Sequence, residues 1–387
     1  MPSDPIDAEV ARAAPELLAF LEGLVNMDSP TEDKTATDQV GDVLQAKAEA
    51  LGMTVARDPQ TRFGDHRIAR WRGGGPRVLM IGHFDTVYAM GTARDRPLRR
   101  VGDRLLGPGV LDMKGGLTVG LFALQALRAA TGGLPLDVTF VFNSDEEIGS
   151  PSSRALIEAE AGRHDLALVL EPGRPGPAIV TRRKGVAIFD LEVTGREAHA
   201  GAEPEAGRNA IVQAAHMTLA IAALNDAAAG TTVTPGVISG GTKPYVVPGR
   251  ARLSVDCRVP SLQEQERVSA GIHAAAARAW VADTGATLSG GFHRPPMEPG
   301  PATEALAARF CALGAEAGFA LRTGSTGGAS DGNLTAARGL PTLDGLGPHG
   351  ARAHSDEEYA ELPTLEAKCR VLARFLADLA RNGLPHP

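Results

Sequence analysis

The 387-residue chain has only three cysteines, Cys257, Cys311 and Cys369, none in C-x-x-C spacing. That scarcity excludes a disulfide framework and a thiolate zinc site, and the three are expected as small buried hydrophobes. No run of ~20 uninterrupted apolar residues occurs, so no transmembrane helix is expected. The N-terminal stretch from Met1 to Phe20 sets acidic residues ahead of its first apolar run and has no basic segment. It therefore does not read as a signal peptide, and the cytoplasm is the expected location. A long basic run is missing as well, and the formal net charge is −7. Nucleic acid and anionic membranes are poor partners for such a surface, which leaves a small molecule. There is no internal repeat and no low-complexity tract. No G-x-G-x-x-G follows a first strand with an acid downstream, which sets aside a dinucleotide oxidoreductase.

What is present fits an ordinary globular protein: 43% hydrophobic and 22% charged residues. A single core rarely grows past roughly 250–300 residues, so two domains are expected. Apolar positions at helical spacing mark 8–25 and 36–51, and the run Val78-Leu-Met-Ile81 reads as a buried strand. Helix 115–130, strand 137–142, helix 152–161 and strand 166–170 follow. Strands alternating with helices imply an α/β class with a doubly wound, mostly parallel sheet. After Gly173-Arg-Pro-Gly-Pro177 the texture changes to in/out alternation at 187–193, 231–239 and 251–258, with helices 207–225 and 262–279 and a short strand at 286–289. This suggests a smaller α+β domain with one sheet face toward solvent. A helical pattern resumes from Pro299, 333–345 reads as helix then strand, and 363–381 is a closing helix. The expected organisation is a first domain formed by 1–181 and 294–387, with 182–293 inserted into it.

Five short motifs carry chemistry. In Gly82-His83-Phe84-Asp85-Thr86, His83 leaves the carboxyl end of a buried strand, where open α/β sheets bind ligands. A lone histidine there more often makes a structural hydrogen bond. Asp85 shifts the balance, because a metal-bound imidazole commonly donates its other N–H to a carboxylate. Asp112 stands in the glycine-rich Gly107-Pro-Gly-Val-Leu-Asp112-Met-Lys-Gly-Gly116, just ahead of a helix. It could be a helix cap, but a carboxylate can also bridge two cations about 3.5–4 Å apart. Asp145-Glu146-Glu147 ends an apolar strand, an odd place for three acids unless they work. Adjacent carboxylates can divide the labour, Glu147 as ligand and Glu146 as the general base that moves a proton from water to the leaving nitrogen. Glu171 follows another buried strand, and His354 opens His354-Ser-Asp-Glu-Glu-Tyr359. Two histidines and three carboxylates suit two borderline-hard ions such as zinc, while cobalt or manganese could use the same donors. His66, His164, His216, His273, His293, His349 and His386 are given no role; among them His349 lies nearest to His354 in sequence.

The order GHFDTV, GPGVLDMKGG, NSDEEIGS, LEPG, HAG, DCR, GASDGN and HSDEEY resembles the co-catalytic zinc exopeptidases and deacylases. That family includes glutamate carboxypeptidase of the glucarpidase type, aminoacylase, acetylornithine deacetylase and succinyl-diaminopimelate desuccinylase. The resemblance runs from about Gly82 to Tyr359. It implies one zinc site on His83, Glu171 and Asp112 and another on Glu147, His354 and the shared Asp112. It implies Glu146 as base, Asp85 as the carboxylate behind His83, and a lid domain through which the chain forms a homodimer. His199 in Glu197-Ala-His-Ala-Gly201 matches a histidine that stabilises the tetrahedral intermediate, since developing oxyanion charge needs a positioned donor. Arg258 and Arg294 match arginines that hold a substrate carboxylate, a task suited to a guanidinium fork. One departure concerns the pocket: Lys243-Pro-Tyr245-Val-Val-Pro248 stands where the family usually has Asn-Val-Ile-Pro, so Tyr245 replaces a substrate-contacting asparagine.

The resemblance implies a dinuclear zinc hydrolase that cleaves an amide to release an amino acid, most like a glutamate carboxypeptidase. The closest alternative is an N-acyl amino acid deacylase; a remoter one is a catalytically silent metal-binding dimer.

Overall fold

A computed structural model describes residues 4–385, so His386 lies outside the described residues. The chain divides into two compact units. One holds the chain up to Thr181, Pro299–Ser325 and everything from Ser330; the other holds Arg182–Glu298 and Thr326–Ala329. Among the described residues no helix is long and apolar enough to cross a membrane.

The first unit is built on a six-stranded sheet in the order Thr54–Asp58, His66–Arg72, Asp137–Asn143, Arg77–His83, Leu166–Val169, Thr342–Leu343. The last four strands run parallel, and the first two join antiparallel at one edge. Continuous apolar runs suit strands buried on both faces. Val78 and Met80 enter one core cluster while Leu79 and Ile81 enter another on the opposite face. Helix Lys114–Thr131 is buried along nearly its whole length, as its near-unbroken apolar sequence requires. It packs beside Pro5–Val25 and Leu362–Asn382. In the latter, Leu365, Cys369, Leu372, Phe375 and Leu379 recur at the three- and four-residue steps of one helix face and are buried. Each such large side chain contributes roughly 1.5–3 kcal/mol by leaving water.

Gly116 fixes how closely this helix approaches the sheet. A Cβ there would fall 1.8 Å from the backbone oxygen of Leu170, so only glycine lets the helix start abut the exit of strand Leu166–Val169. That approach brings the Asp112 and Glu171 loops side by side.

The second unit carries a four-stranded antiparallel sheet in the order Thr232–Gly240, Arg250–Val259, Gly185–Thr194, Gly285–Arg294. Ala187, Phe189, Leu191 and Val193 point into a core with Cys257 and the helices Ala210–Ala222 and Leu262–Ala277. On the opposite face Ile188 is exposed, and Asp190 pairs with Arg252. Cys257 and Cys369 are buried thiols as expected, whereas Cys311 is only partly buried.

Candidate metal centre

All the motifs flagged as ligands project from carboxyl ends of the first unit's parallel strands, or from loops beside them. His83 is the last residue of Arg77–His83, Glu146 and Glu147 form a short 3-10 turn after Asp137–Asn143, and Glu171 follows Leu166–Val169. Parallel strands of equal phase deliver their exits to one rim, which is how residues 88 positions apart in sequence become neighbours.

The structure brings together His83, Asp112, Glu146, Glu147, Glu171 and His354. The two oxygens of Asp112 face different partners: Oδ1 lies 3.3 Å from His83 Nε2, and Oδ2 lies 3.3 Å from His354 Nε2. Glu171 Oε1 stands 3.7 Å from His83 Nε2 on one side, and Glu147 Oε2 stands 3.2 Å from His354 Nε2 on the other. Donor atoms of His83, Asp112 and Glu147 lie within 4.8 Å of one another, as do those of His83, Glu146 and Glu171. The His83 side chain is 2% exposed and that of His354 is 53% exposed, so the cluster opens to solvent on the His354 side.

The electrostatics of the cluster favour positive charge within it. Burial opposes a charged His83 imidazole, yet hydrogen bonds to Asp112 and Asp85 and the charge of Glu171 outweigh it and raise its pKa well above the usual histidine value. His354 is pushed up to about 10 by hydrogen bonds to Asp112 and Glu147. Burial raises the Glu147 carboxyl, with the hydrogen bond from His354 pulling the other way; Asp112, despite burial, is driven below the carboxylate range by its two histidines. The pocket favours positive charge, and a divalent ion competes for these donors with protons. Glu147 Oε1 is also buried without a hydrogen-bond partner, an acceptor suited to a cation. Imidazole nitrogens and carboxylate oxygens on either side of one shared carboxylate fit two divalent ions of the zinc type.

Asp85 holds the cluster from behind. The His83 Nδ1 lies 3.0 Å from the Asp85 carbonyl oxygen and 3.4 Å from Asp85 Oδ1. The Asp85 carboxylate also accepts the backbone N–H groups of Glu146 and Glu147 and the hydroxyl of Thr31 at 2.7 Å. One buried carboxylate thus orients the histidine and both glutamates.

Sequence reasoning passed over three supporting residues. Asp145 is fully buried and accepts from the backbone and hydroxyl groups of both Ser152 and Ser153, which anchors the loop bearing Glu146 and Glu147. His66, whose pKa burial lowers, accepts at Nδ1 from Ser144 N–H, so its Nε2 carries the proton toward Ser152. Glu358 is buried under the Asp112 loop. Serines seven and eight positions after an acid were the available signal for Asp145. His349 is buried against Phe319 and Lys368 and is absent from the donor cluster.

His199, Tyr245, Arg258 and Arg294 belong to the second unit. His199 Nδ1 accepts N–H groups of Gly201 and Ala202 at 3.2 and 3.0 Å, so the neutral ring carries its proton on Nε2 as an outward donor. Arg258 is half-exposed, and its Nε donates to Asp256. Tyr245 is 57% exposed, whereas Arg294 is buried.

A model of the family described as peptidase family M20/M25/M40 matches residues 79–378. Carboxypeptidase G2 of Pseudomonas sp. (strain RS-16) is 31% identical over 371 residues, covering 94% of this chain and 89% of that relative. Acetylornithine deacetylase of Myxococcus xanthus is 34% identical over 277 residues, covering 66% of this chain and 70% of the relative. The solved structure of aminopeptidase PepT from Bacillus cereus is similar in fold, with a TM-score of 0.77 at 21% identity over 95% of this chain and 99% of that one.

Proposed function

The chain belongs to peptidase family M20/M25/M40 and is a metal-dependent hydrolase, and from that premise we propose a two-zinc amide hydrolase releasing a carboxylate-bearing amino acid, in the manner of a glutamate carboxypeptidase. The observation that carries this reading is Asp112, with one oxygen 3.3 Å from His83 and the other 3.3 Å from His354. His83, Glu171 and Asp112 would hold one ion, and Glu147, His354 and Asp112 the other. Cobalt or manganese fits the same donors.

When bound, the ions supply Lewis acidity for the amide carbonyl and for the attacking water. Glu146 takes the proton of that water and hands it to the leaving nitrogen. Its neighbour Glu147 stays a ligand because its carboxylate turns to His354. To the second unit we assign recognition: the His199 Nε2–H for developing oxyanion charge, and Arg258 with Arg294 for the carboxylate of the released amino acid. Tyr245 would border the substrate with a single phenolic group. The same unit would serve as lid and dimer contact, its exposed Leu219 and Ile238 offering apolar surface.

Metal analysis with a substrate panel of folate-type, dipeptide and N-acetyl amides on one preparation tests the reading. Two zinc ions per chain and release of glutamate are expected. Glu146→Gln should lower turnover by roughly 10²–10⁴-fold while retaining both ions. Near-normal turnover in that variant would remove Glu146 as base. The likeness to an acetylornithine deacetylase supports a second reading, an N-acyl amino acid deacylase. Preferential cleavage of the N-acetyl substrates would favour it.

A further inference from the structure

Glu358 is the last of three acids in Asp356-Glu357-Glu358, four residues after His354, and is 1% exposed. Its carboxylate accepts four donors. Oε1 takes the backbone N–H groups of Leu111 and Asp112 at 2.8 and 2.9 Å, and Oε2 takes that of Gly109 at 2.8 Å. The Tyr88 hydroxyl lies 2.7 Å from Oε2 and 2.9 Å from the carbonyl oxygen of Ser355, and shares its one proton between them. Three backbone N–H groups and a phenol converge on one carboxyl group, a donor set that suits a carboxylate and works against the burial that raises its pKa.

These contacts tie three separate segments: Tyr88 follows the His83 strand, Gly109 to Asp112 form the glycine-rich loop, and Glu358 and Ser355 follow His354. His354 itself sits at φ 63°, a left-handed backbone conformation that a non-glycine residue keeps only when its surroundings impose it. The Ser355 carbonyl next to it is held by Tyr88 and by the N–H of Glu358.

We propose that Glu358, with Tyr88, is a positioning residue for the two-ion centre: it fixes the Asp112 loop so that each oxygen of Asp112 faces one histidine, and it locks His354 in its ligating pose. The assignment rests on the two-zinc reading and adds to it residues that touch no ion. An amide in place of the carboxylate would turn an NH2 group onto at least one backbone N–H, with little change in volume.

The test is zinc binding by competition with a chromogenic chelator, on wild type, Glu358→Gln and Tyr88→Phe, with thermal unfolding of each metal-free protein. Glu358→Gln should weaken zinc binding about 10–100-fold, the usual scale for a residue behind a ligand. Tyr88→Phe should weaken it a few-fold with a melting temperature close to wild type. Saturating zinc should restore turnover of both variants at unchanged KM, which a general loss of folding would not allow. Should Glu358→Gln fail to fold, Tyr88→Phe decides alone. Two zinc ions in wild type with undiminished affinity in both variants would overturn the assignment. Fewer than two in wild type would instead overturn the two-zinc reading beneath it.

Discussion

The two units use their sheets in opposite ways. In the first, strands such as Arg77–His83 are buried on both faces, and polar groups concentrate at one rim, where buried partners hold each of them. In the second, strand Gly185–Thr194 alternates a buried face with an exposed one, and His199, Tyr245 and Arg258 are reachable by solvent. A two-sided core makes a rigid platform, and a fixed platform is what metal ligation and proton transfer need. A one-sided sheet leaves surface free for recognition. The difference predicts separable phenotypes: changes at the rim should alter metal content and turnover together, and changes in the second unit should leave the metal alone.

The strongest way to break this division is Asp112→Ala. Removing the shared carboxylate should release both ions and lower kcat by roughly 10³-fold or more, read by metal analysis and steady-state kinetics. Retention of two ions would refute the bridging assignment. In the second unit, His199→Ala should lower kcat about 10²-fold with metal content unchanged, because it removes a donor to developing charge. Metal loss in that variant would erase the boundary between the two roles.

The rim was legible in sequence because its chemistry sits at strand ends, and a strand end can be read from an apolar run that stops at an acid or a histidine. Val78 to Ile81 followed by His83, and Asp137 to Phe142 followed by Glu146 and Glu147, carried that signal. His354 had no such run before it, and was weak alone; it entered as the second histidine of a set with three carboxylates, and the family resemblance then supported it. Glu358 was not legible: in Asp356-Glu357-Glu358 the side chains of the first two are 88% and 67% exposed and the third is buried, a distinction made by tertiary packing. The antiparallel strands Thr54–Asp58 and His66–Arg72 escaped for a similar reason, since Arg57, Arg67, Arg70 and Arg72 mask their pattern. Arg67 is fully buried and paired with Asp42, which sequence cannot announce.

A matched pair of glycines sharpens the comparison at a smaller scale. A Cβ on Gly116 would lie 1.8 Å from Leu170 O, and one on Gly195 in the second unit would lie 2.0 Å from Arg208 O. Either alanine variant should destabilise its unit by about 3 kcal/mol, measured by urea unfolding. Gly116→Ala should also weaken zinc binding, because it separates the Asp112 and Glu171 loops, whereas Gly195→Ala should not. Equal zinc affinities in the two variants would mean that this close approach does not set the ligand geometry. Arg258→Ala comes next: losing a charged hydrogen bond to substrate should raise KM about 10-fold at constant kcat. A fall in kcat with constant KM would place Arg258 in the transition state instead.

A further effect concerns how the first unit tolerates charge away from its rim. Lys114 and Lys368 are its two buried lysines, and the Nζ of Lys368 donates to Gly345 O at 2.8 Å. That carbonyl lies in the loop whose Gly347 N–H donates to the backbone of Glu171. Burial lowers the Lys368 pKa to about 7, and the facing His349 is lowered to about 3 by burial and by the lysine's charge. A lysine whose folded pKa lies below its unfolded value binds its proton more tightly in the unfolded chain. The penalty is complete below about pH 7 and fades as pH climbs toward the unfolded value, so stability should rise across that window. The slope should approach roughly 1 kcal/mol per pH unit between pH 7 and 9. Lys114, lowered to about 8, adds a slope of the same sign, so the informative quantity is the difference between wild type and Lys368→Met. Urea unfolding at both pH values, at fixed zinc, should show wild type gaining on the variant as pH rises. Parallel pH profiles would mean that Lys368 keeps its charge in the fold, and that the ground behind Glu171 is more polar than its burial indicates.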